Sequence, residues 1–458
     1  MLDQESLKFL QQALERLDAG FSSLPPNTAL SPESHRIAEV LASTAERLQD
    51  NYPYFHPLYA GQMLKPPHPV ARLAYALAQW INPNNHALDG GRASSAMEKE
   101  AVAELAGMFG WTEHLGHLTS GGTMANLEAL WIAGQLAPGK TIIGSEQAHY
   151  THNRISGVLQ LEFEAVPCDQ HARIDLRALE RRLAAGDVGT VIATVGTTAT
   201  GSVDPLADML KLREKYRFRV HCDAAYGGYF TLARNLASET RRALAAIRDA
   251  DSLVIDPHKH GLQPYGCGCV LFRDPTVGRF YKHDSPYTYF SSKELHLGEI
   301  SLECSRPGAA AVALWATQQL LPLTKGGEFA EGLERCRDAA WEFHRRLAAD
   351  RRFFAGLAPE LDIVVFAPRA ATLTEASALS RRVFDAAGRR NLHLAVAELP
   401  LELFPGAAEH FAKDRARLTC LRSVLMKPEH REWLDGIWQT LSEATDEVLG
   451  GSARARQR

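Results

Sequence analysis

Three short segments of the chain carry residues able to do chemistry. In Asp256-Pro-His-Lys259 a lysine directly follows the apolar run Ser252-Leu-Val-Ile255. An amine held among apolar and cationic neighbours loses part of its basicity and becomes a nucleophile able to form a Schiff base; the alternative is a loop lysine in solvent. In His221-Cys-Asp223-Ala-Ala225-Tyr-Gly227 an acid ends a short apolar run and small residues follow it. Ligands of open α/β sheets bind at such strand ends, where a carboxylate can pair with a protonated ring nitrogen and small neighbours admit a flat heterocycle; the alternative is a helix N-cap. In Thr119-Ser-Gly-Gly-Thr-Met-Ala-Asn126 a small-residue turn runs into a helix. Free N–H groups and the helix dipole suit a phosphate there, although the turn fits neither the dinucleotide fingerprint nor the P-loop and can be a plain turn.

Elements of one sheet must position these segments. From about residue 97 the sequence predicts helices over 97–109, 123–134, 176–185 and 205–216, alternating with strands over 141–144, 190–195, 219–222, 252–255 and 269–272. Short apolar runs separated by helices imply an α/β fold with a mainly parallel central sheet covered on both faces. A long helix over 327–348, strands over 362–366 and 417–425 and a last helix over 428–449 predict a smaller C-terminal α+β domain. Before the sheet, Leu7, Leu10, Leu14 and Leu17, then Ile37, Val40, Leu41 and Leu48, recur at helical spacing on either side of Pro25-Pro26. The proline-broken aromatic stretch Tyr52–Tyr59 predicts a rigid non-helical segment suited to lining a pocket. The expected divisions are 1–85 (helical, dimerising), 86–325 (large, cofactor-binding), 326–449 (small) and a frayed basic tail over 450–458. The set of an amine, an acid and a phosphate cradle is what pyridoxal 5′-phosphate demands of a protein.

Composition excludes several other classes. The 458 residues include 50 Lys+Arg against 54 Asp+Glu, a net charge of −4, so no electrostatic argument favours nucleic acid or an anionic membrane. No stretch approaches 18 uninterrupted apolar residues, and the first residues lack a basic region followed by an apolar one, which argues against membrane spanning and secretion. Seven cysteines are too few for a disulfide scaffold and point to a reducing cytoplasm. Cys267-x-Cys269 is too short and solitary for zinc, no histidine pair forms a metal motif, and no metal is expected.

The phrases Thr119–Asn126, Glu146-Gln-Ala-His149-Tyr150, Gly196-Thr-Thr198, His221–Gly228 and Asp256–Lys259 occur in that order. Across roughly residues 50–430 the chain resembles the group II pyridoxal-phosphate-dependent amino acid decarboxylases, which include aromatic amino acid, glutamate and archaeal tyrosine/aspartate decarboxylases. The resemblance implies the type I, aspartate aminotransferase-like fold and a homodimer with shared active sites. It also implies an L-amino acid substrate that loses its carboxylate as carbon dioxide. It assigns Lys259 to the Schiff base, Asp223 to the ring nitrogen, His149 and Ala225 to the two ring faces, and Gly122, Thr123 and His258 to the phosphate. Thr197 is placed near the ring's phenolic side, and Asp256, where an asparagine is frequent, joins the cofactor contacts. The loop Asp284–Phe290 loosely matches the family's mobile catalytic loop, making Tyr287 and Tyr289 candidate proton donors. Phe55, His56 and Tyr59 resemble a substrate-lining stretch, with dimer packing as the alternative, and Arg422 is a candidate anchor for a substrate carboxylate or a structural residue. The chain departs from the common pattern at His260, where tryptophan is usual. Cys304–Ala311 resembles both the archaeal decarboxylases and the sphingosine-phosphate lyases, so a carbon–carbon lyase is the alternative activity and a non-catalytic cofactor-binding protein a remote one.

Overall fold

The structure, a computed structural model, describes residues 4–25, 34–86, 90–282, 297 and 300–456. The apolar runs between residues 115 and 272 assemble into one sheet. Its strands are β1 (Leu115–Thr119), β2 (Thr141–Ser145), β3 (Phe163–Val166), β4 (Val188–Thr194), β5 (Arg219–Asp223), β6 (Ser252–Ile255) and β7 (Gly268–Phe272), in the order β1-β7-β6-β5-β4-β2-β3. Strands β3, β2, β4, β5 and β6 pair parallel, while β7 runs antiparallel to both β6 and β1. The reversal follows from the connection: residues 256–267 form turns and no α-helix, so the chain returns beside β6 in the opposite sense. Val191, Ile192, Val220 and Leu253 are wholly buried under helices on both faces. Each such side chain contributes roughly 1.5–3 kcal/mol by leaving water.

A second sheet comprises β8 (Phe353–Ala355), β9 (Ile363–Pro368), β10 (Ala395–Pro400) and β11 (Arg417–Val424), all antiparallel, in the order β10-β11-β9-β8. Helices Glu328–Ala349 and Leu373–Gly388 pack against it, and His430–Arg456 packs on those two helices. The last helix runs through Gly450 and Gly451 to Arg456, into the segment 450–458 expected as a frayed tail. Two glycines cost the helix about 1 kcal/mol each, but extension of a formed helix needs no new nucleus, and alanine and arginine are strong helix formers.

Helices Gln4–Ala19 and Ser34–Leu48 form where leucine spacing predicts them, and they leave Leu7, Phe9, Ile37, Val40 and Leu41 exposed. Residues 52–59 form turns, as the prolines require, and end in a bridge between Tyr59 and His393. Among the described residues no helix is long and apolar enough to cross a membrane and no group of metal-ligating side chains gathers. All seven cysteines are free thiols.

Candidate active site

The turn after β1 and the carboxyl ends of β2, β4, β5 and β6 surround a cavity of about 310 Å³. Parallel strands bring this about, since they aim their carboxyl ends the same way and deliver the following loops to one edge. Helix Gly122–Leu136 starts against that edge. Its entry is tight: a Cβ on Gly122 would stand 2.7 Å from Asp256 Oδ2, and one on Gly268 of β7 would stand 2.5 Å from the Gly121 carbonyl carbon. Glycine at both positions lets Ser120–Thr123 line the cavity at the positive end of the helix dipole; the Ser120 N–H donates to Glu303 Oε2 and the Gly121 N–H to Thr119 Oγ1, which leaves those of Gly122 and Thr123 for a ligand.

Lys259 follows β6, and its Nζ lies 3.1 Å from Asp256 Oδ2 on the cavity wall. The other carboxylate oxygen of Asp256 is buried without a partner among the described residues. Asp223 ends β5 beneath the cavity, its Oδ1 accepting the Ala225 amide at 3.2 Å and its Oδ2 facing His152 Nε2 at 2.8 Å. Burial alone would raise its pKa, but the His152 hydrogen bond and the charges of His152 and Lys259 outweigh burial and hold it well below the usual carboxylate range. Asp223 is therefore an anion at neutral pH.

Histidines surround this anion in distinct roles. His149, after β2, lines the cavity and places Nδ1 2.7 Å from Thr151 Oγ1. Burial lowers its pKa, so it presents an uncharged flat face. His221 lies two residues before Asp223 on the same face of β5, with Nε2 2.8 Å from Asn126 Oδ1 and Nδ1 2.8 Å from Ser252 Oγ. Burial pushes it down to about 3. Its Nε2–H donates to the Asn126 carbonyl, and its Nδ1 accepts from Ser252. His258 donates Nδ1–H to the Cys267 carbonyl at 2.8 Å and is likewise lowered by burial.

Of the residues expected from sequence, Gly122, Thr123, His149, Asp223, Ala225, Asp256, His258 and Lys259 all line this cavity. Thr197 does not: its hydroxyl is buried in a cluster with Thr200 at 2.9 Å and the Ser202 amide at 3.1 Å, and Thr198 takes the place on the wall. Phe55 is exposed beside a separate cavity of about 490 Å³, and His56 meets Trp433 edge-on at 4.7 Å. Tyr59 is buried against Tyr54, with ring centroids 4.9 Å apart. None of these three touches the cofactor cavity. Arg422, on β11, donates NH1 to the Gly61 carbonyl and Gln62 Oε1, while its Nε and NH2 are buried without partners among the described residues. Tyr287 and Tyr289 lie outside the described residues. The sequence reading assigns no role to His152, nor to His221, which it quotes only as part of the Asp223 segment.

These groups fit pyridoxal 5′-phosphate. An amine, an ionised carboxylate and a glycine-lined helix start converge on one cavity, and a Cβ at Gly122 would crowd its wall. Comparison with known proteins agrees. Residues 50–369 match the pyridoxal-dependent decarboxylase conserved domain. An L-tyrosine decarboxylase of Enterococcus faecium is 30% identical over 399 residues, which cover 65% of this chain. The chain spans 65% of that relative's length, just under two thirds. A probable L-tyrosine/L-aspartate decarboxylase of Methanothermobacter thermautotrophicus is 28% identical over 313 residues, 67% of this chain and 82% of that protein. The fold matches that of Oryza sativa TDC, solved with PLP and tryptamine, at a TM-score of 0.78 and 18% identity, covering 98% of this chain and 99% of that one. With a mainly parallel large sheet, a small antiparallel one and a domain match over most of its length, the chain belongs to the pyridoxal-dependent decarboxylase family.

Proposed function

We propose that the protein removes the α-carboxylate of an L-amino acid as carbon dioxide, using pyridoxal 5′-phosphate. The observation that carries this reading is the single cavity shared by Lys259, Asp223 and the Ser120–Thr123 turn. When bound, the cofactor supplies an aldehyde for primary amines and a ring that accepts the electron pair left by a broken bond to the α-carbon. With the cofactor bound, Lys259 Nζ would be the amine that holds its aldehyde carbon and that a substrate amine would displace; Asp256, 3.1 Å away, orients Nζ. Asp223 holds a proton on the ring nitrogen. His149, uncharged, covers one ring face and excludes water from it, with Ala225 beneath the other. The N–H groups of Gly122 and Thr123 would hold the phosphate, and His258, whose Nδ1–H is donated to the Cys267 carbonyl, would add a second donor only when the phosphate's charge protonates its Nε2. Arg422 is assigned to a substrate carboxylate on the sequence resemblance; it lies behind Tyr226 of the cavity wall, and its buried Nε and NH2 would have to be uncovered for that contact. The proton delivered to the α-carbon is assigned to Tyr287 or Tyr289 on the sequence resemblance. The resemblance also supports a homodimer, and so do the exposed apolar faces of the first two helices, which a second copy would cover. A cytoplasmic location suits seven free thiols.

The test is a screen of the common amino acids for carbon dioxide and amine release, beginning with tyrosine and aspartate. Borohydride reduction followed by peptide mapping is expected to find a pyridoxyl group on Lys259, and Lys259→Ala is expected to lose both the adduct and the activity. A pyridoxyl group on another lysine would overturn the assignment. Aldehyde release from a β-hydroxy or phosphorylated amino alcohol without carbon dioxide would replace the decarboxylase with a lyase.

A further inference from the structure

His152 belongs to helix Thr151–Val158, whose buried face is Thr151, His152, Ile155 and Ser156. It has no exposed surface. Its Nε2 stands 2.8 Å from Asp223 Oδ2, and its Nδ1 is buried with no hydrogen-bond partner among the described residues. The contact requires a proton on Nε2, because an ionised carboxylate can only accept. A carboxylate held on one oxygen by the Ala225 amide at 3.2 Å retains freedom to turn about its terminal torsion, which is broad for aspartate. A donor on the other oxygen at 2.8 Å removes that freedom and favours the charged form in a buried place. The remaining lone pairs of Asp223 then face the cavity, where Lys259 and His149 also lie. His221, the other ring packed beside His152 with centroids 6.4 Å apart, is held at Nδ1 by Ser252 and at Nε2 by Asn126 and does not compete for the carboxylate.

We propose that His152 is a positioning residue for the cofactor's ring nitrogen. It acts through Asp223, whose carboxylate plane and charge it fixes so that the free oxygen sites meet the ring N–H. This deepens the functional reading above and rests on it. It differs from a packing role in one respect: its effect must pass through the ring nitrogen.

The experiment uses the full-length protein stripped of cofactor and reloaded either with pyridoxal 5′-phosphate or with its 1-deaza analogue, in which carbon replaces the ring nitrogen. Parent, His152→Leu and His152→Gln are compared for cofactor affinity and for the pH dependence of the visible absorption of the loaded enzyme. The Leu variant is expected to bind pyridoxal phosphate about tenfold more weakly, the loss of one charge-assisted hydrogen bond, with a displaced absorption–pH curve. Gln, whose amide N–H can reach Oδ2, is expected to recover most of the loss, and the analogue is expected to bind all three proteins alike. If the Leu variant does not fold, Gln against the shorter Asn makes the same comparison. An equal loss with both cofactors would overturn the proposal, as would no loss with either. If the parent forms no reducible adduct at Lys259 with either cofactor, the functional reading itself fails, and the inference with it.

Discussion

Two buried imidazole–carboxylate pairs sit on the large sheet, alike in chemistry and different in consequence. His117 of β1 faces Glu128 of helix Gly122–Leu136 at 2.9 Å; His152 faces Asp223 of β5 at 2.8 Å. In the first pair the histidine's other nitrogen contacts the Leu118 carbonyl at 2.8 Å, and neither residue lines the cofactor cavity. In the second the carboxylate stands at the last residue of a parallel strand, on the cavity wall. His117 and Glu128 lock a strand to a helix and spend the carboxylate inside the protein. His152 and Asp223 form the same bond at a strand end and leave the carboxylate available to a ligand. The same side chains thus serve stability or chemistry according to where along a strand the sequence places them.

The comparison breaks if the two pairs respond alike to mutation. Asp223→Asn keeps the volume and removes the charge, so activity is expected to fall on the order of 10³-fold, about 4 kcal/mol in the barrier, with only the smaller loss of neutral-pH stability that the ionised carboxylate contributes. The parent should also carry an acid signature. The folded-state pKa of Asp223 is depressed, so its stabilising contribution is complete above the ordinary carboxylate pKa and is lost as pH falls through the lower folded value. Acid unfolding followed by circular dichroism should show a shallower loss in Asp223→Asn. A variant with near-normal turnover would place the electron sink's partner elsewhere. His117→Leu should do the reverse. It leaves the buried Glu128 carboxylate with the Tyr281 hydroxyl but without its imidazole and should lower stability by about 3 kcal/mol in urea unfolding, with the turnover and cofactor affinity of the folded fraction kept within about twofold. A selective loss of turnover would mean that the structural pair reaches the chemistry.

Most of the lining of the candidate cavity was legible in the sequence, for a physical reason. Asp223 and Lys259 each come at or just after the end of a run of β-branched and apolar residues, and the glycine turn opens a helix, so sequence position translates into strand-end position. His152 was not legible because its partner is 71 residues away and its contact is purely tertiary. The only available sign was a polar residue sharing a helix face with Ile155 and Ser156. Thr197 illustrates the limit of motif transfer: the chain turns after β4, and within that turn Thr197 bonds to Thr200 and Ser202 while Thr198 lines the cavity. The antiparallel course of β7 was hidden because an apolar run carries no direction. Strands β1 and β10 escaped because Gly116 and His117 interrupt one, and exposed Val396 and Glu398 break the other into alternating burial.

A third buried charge extends the comparison, because Lys427 has no carboxylate at ion-pair distance among the described residues. Its Nζ donates to the Tyr59 carbonyl at 2.6 Å and the Leu64 carbonyl at 3.4 Å, and its side chain is almost wholly covered. Burial, helped by the charge of Lys65, pushes its pKa from 10.5 down to about 7. Between those values the unfolded chain holds a proton that the folded protein does not. The unfolded state is therefore increasingly disfavoured as pH rises, and the parent should gain up to about 1 kcal/mol of stability per pH unit from this group. Below about pH 7 both states are protonated and the slope from this group vanishes. Lys427→Met removes the titration, so urea unfolding at pH 7, 8 and 9 should show the parent gaining on the variant by that increment at each step, whatever the offset from the lost hydrogen bonds. Parallel curves would mean that Lys427 stays charged inside the fold, and that backbone carbonyls alone can do for an ammonium what Asp223 and Glu128 need an imidazole to do.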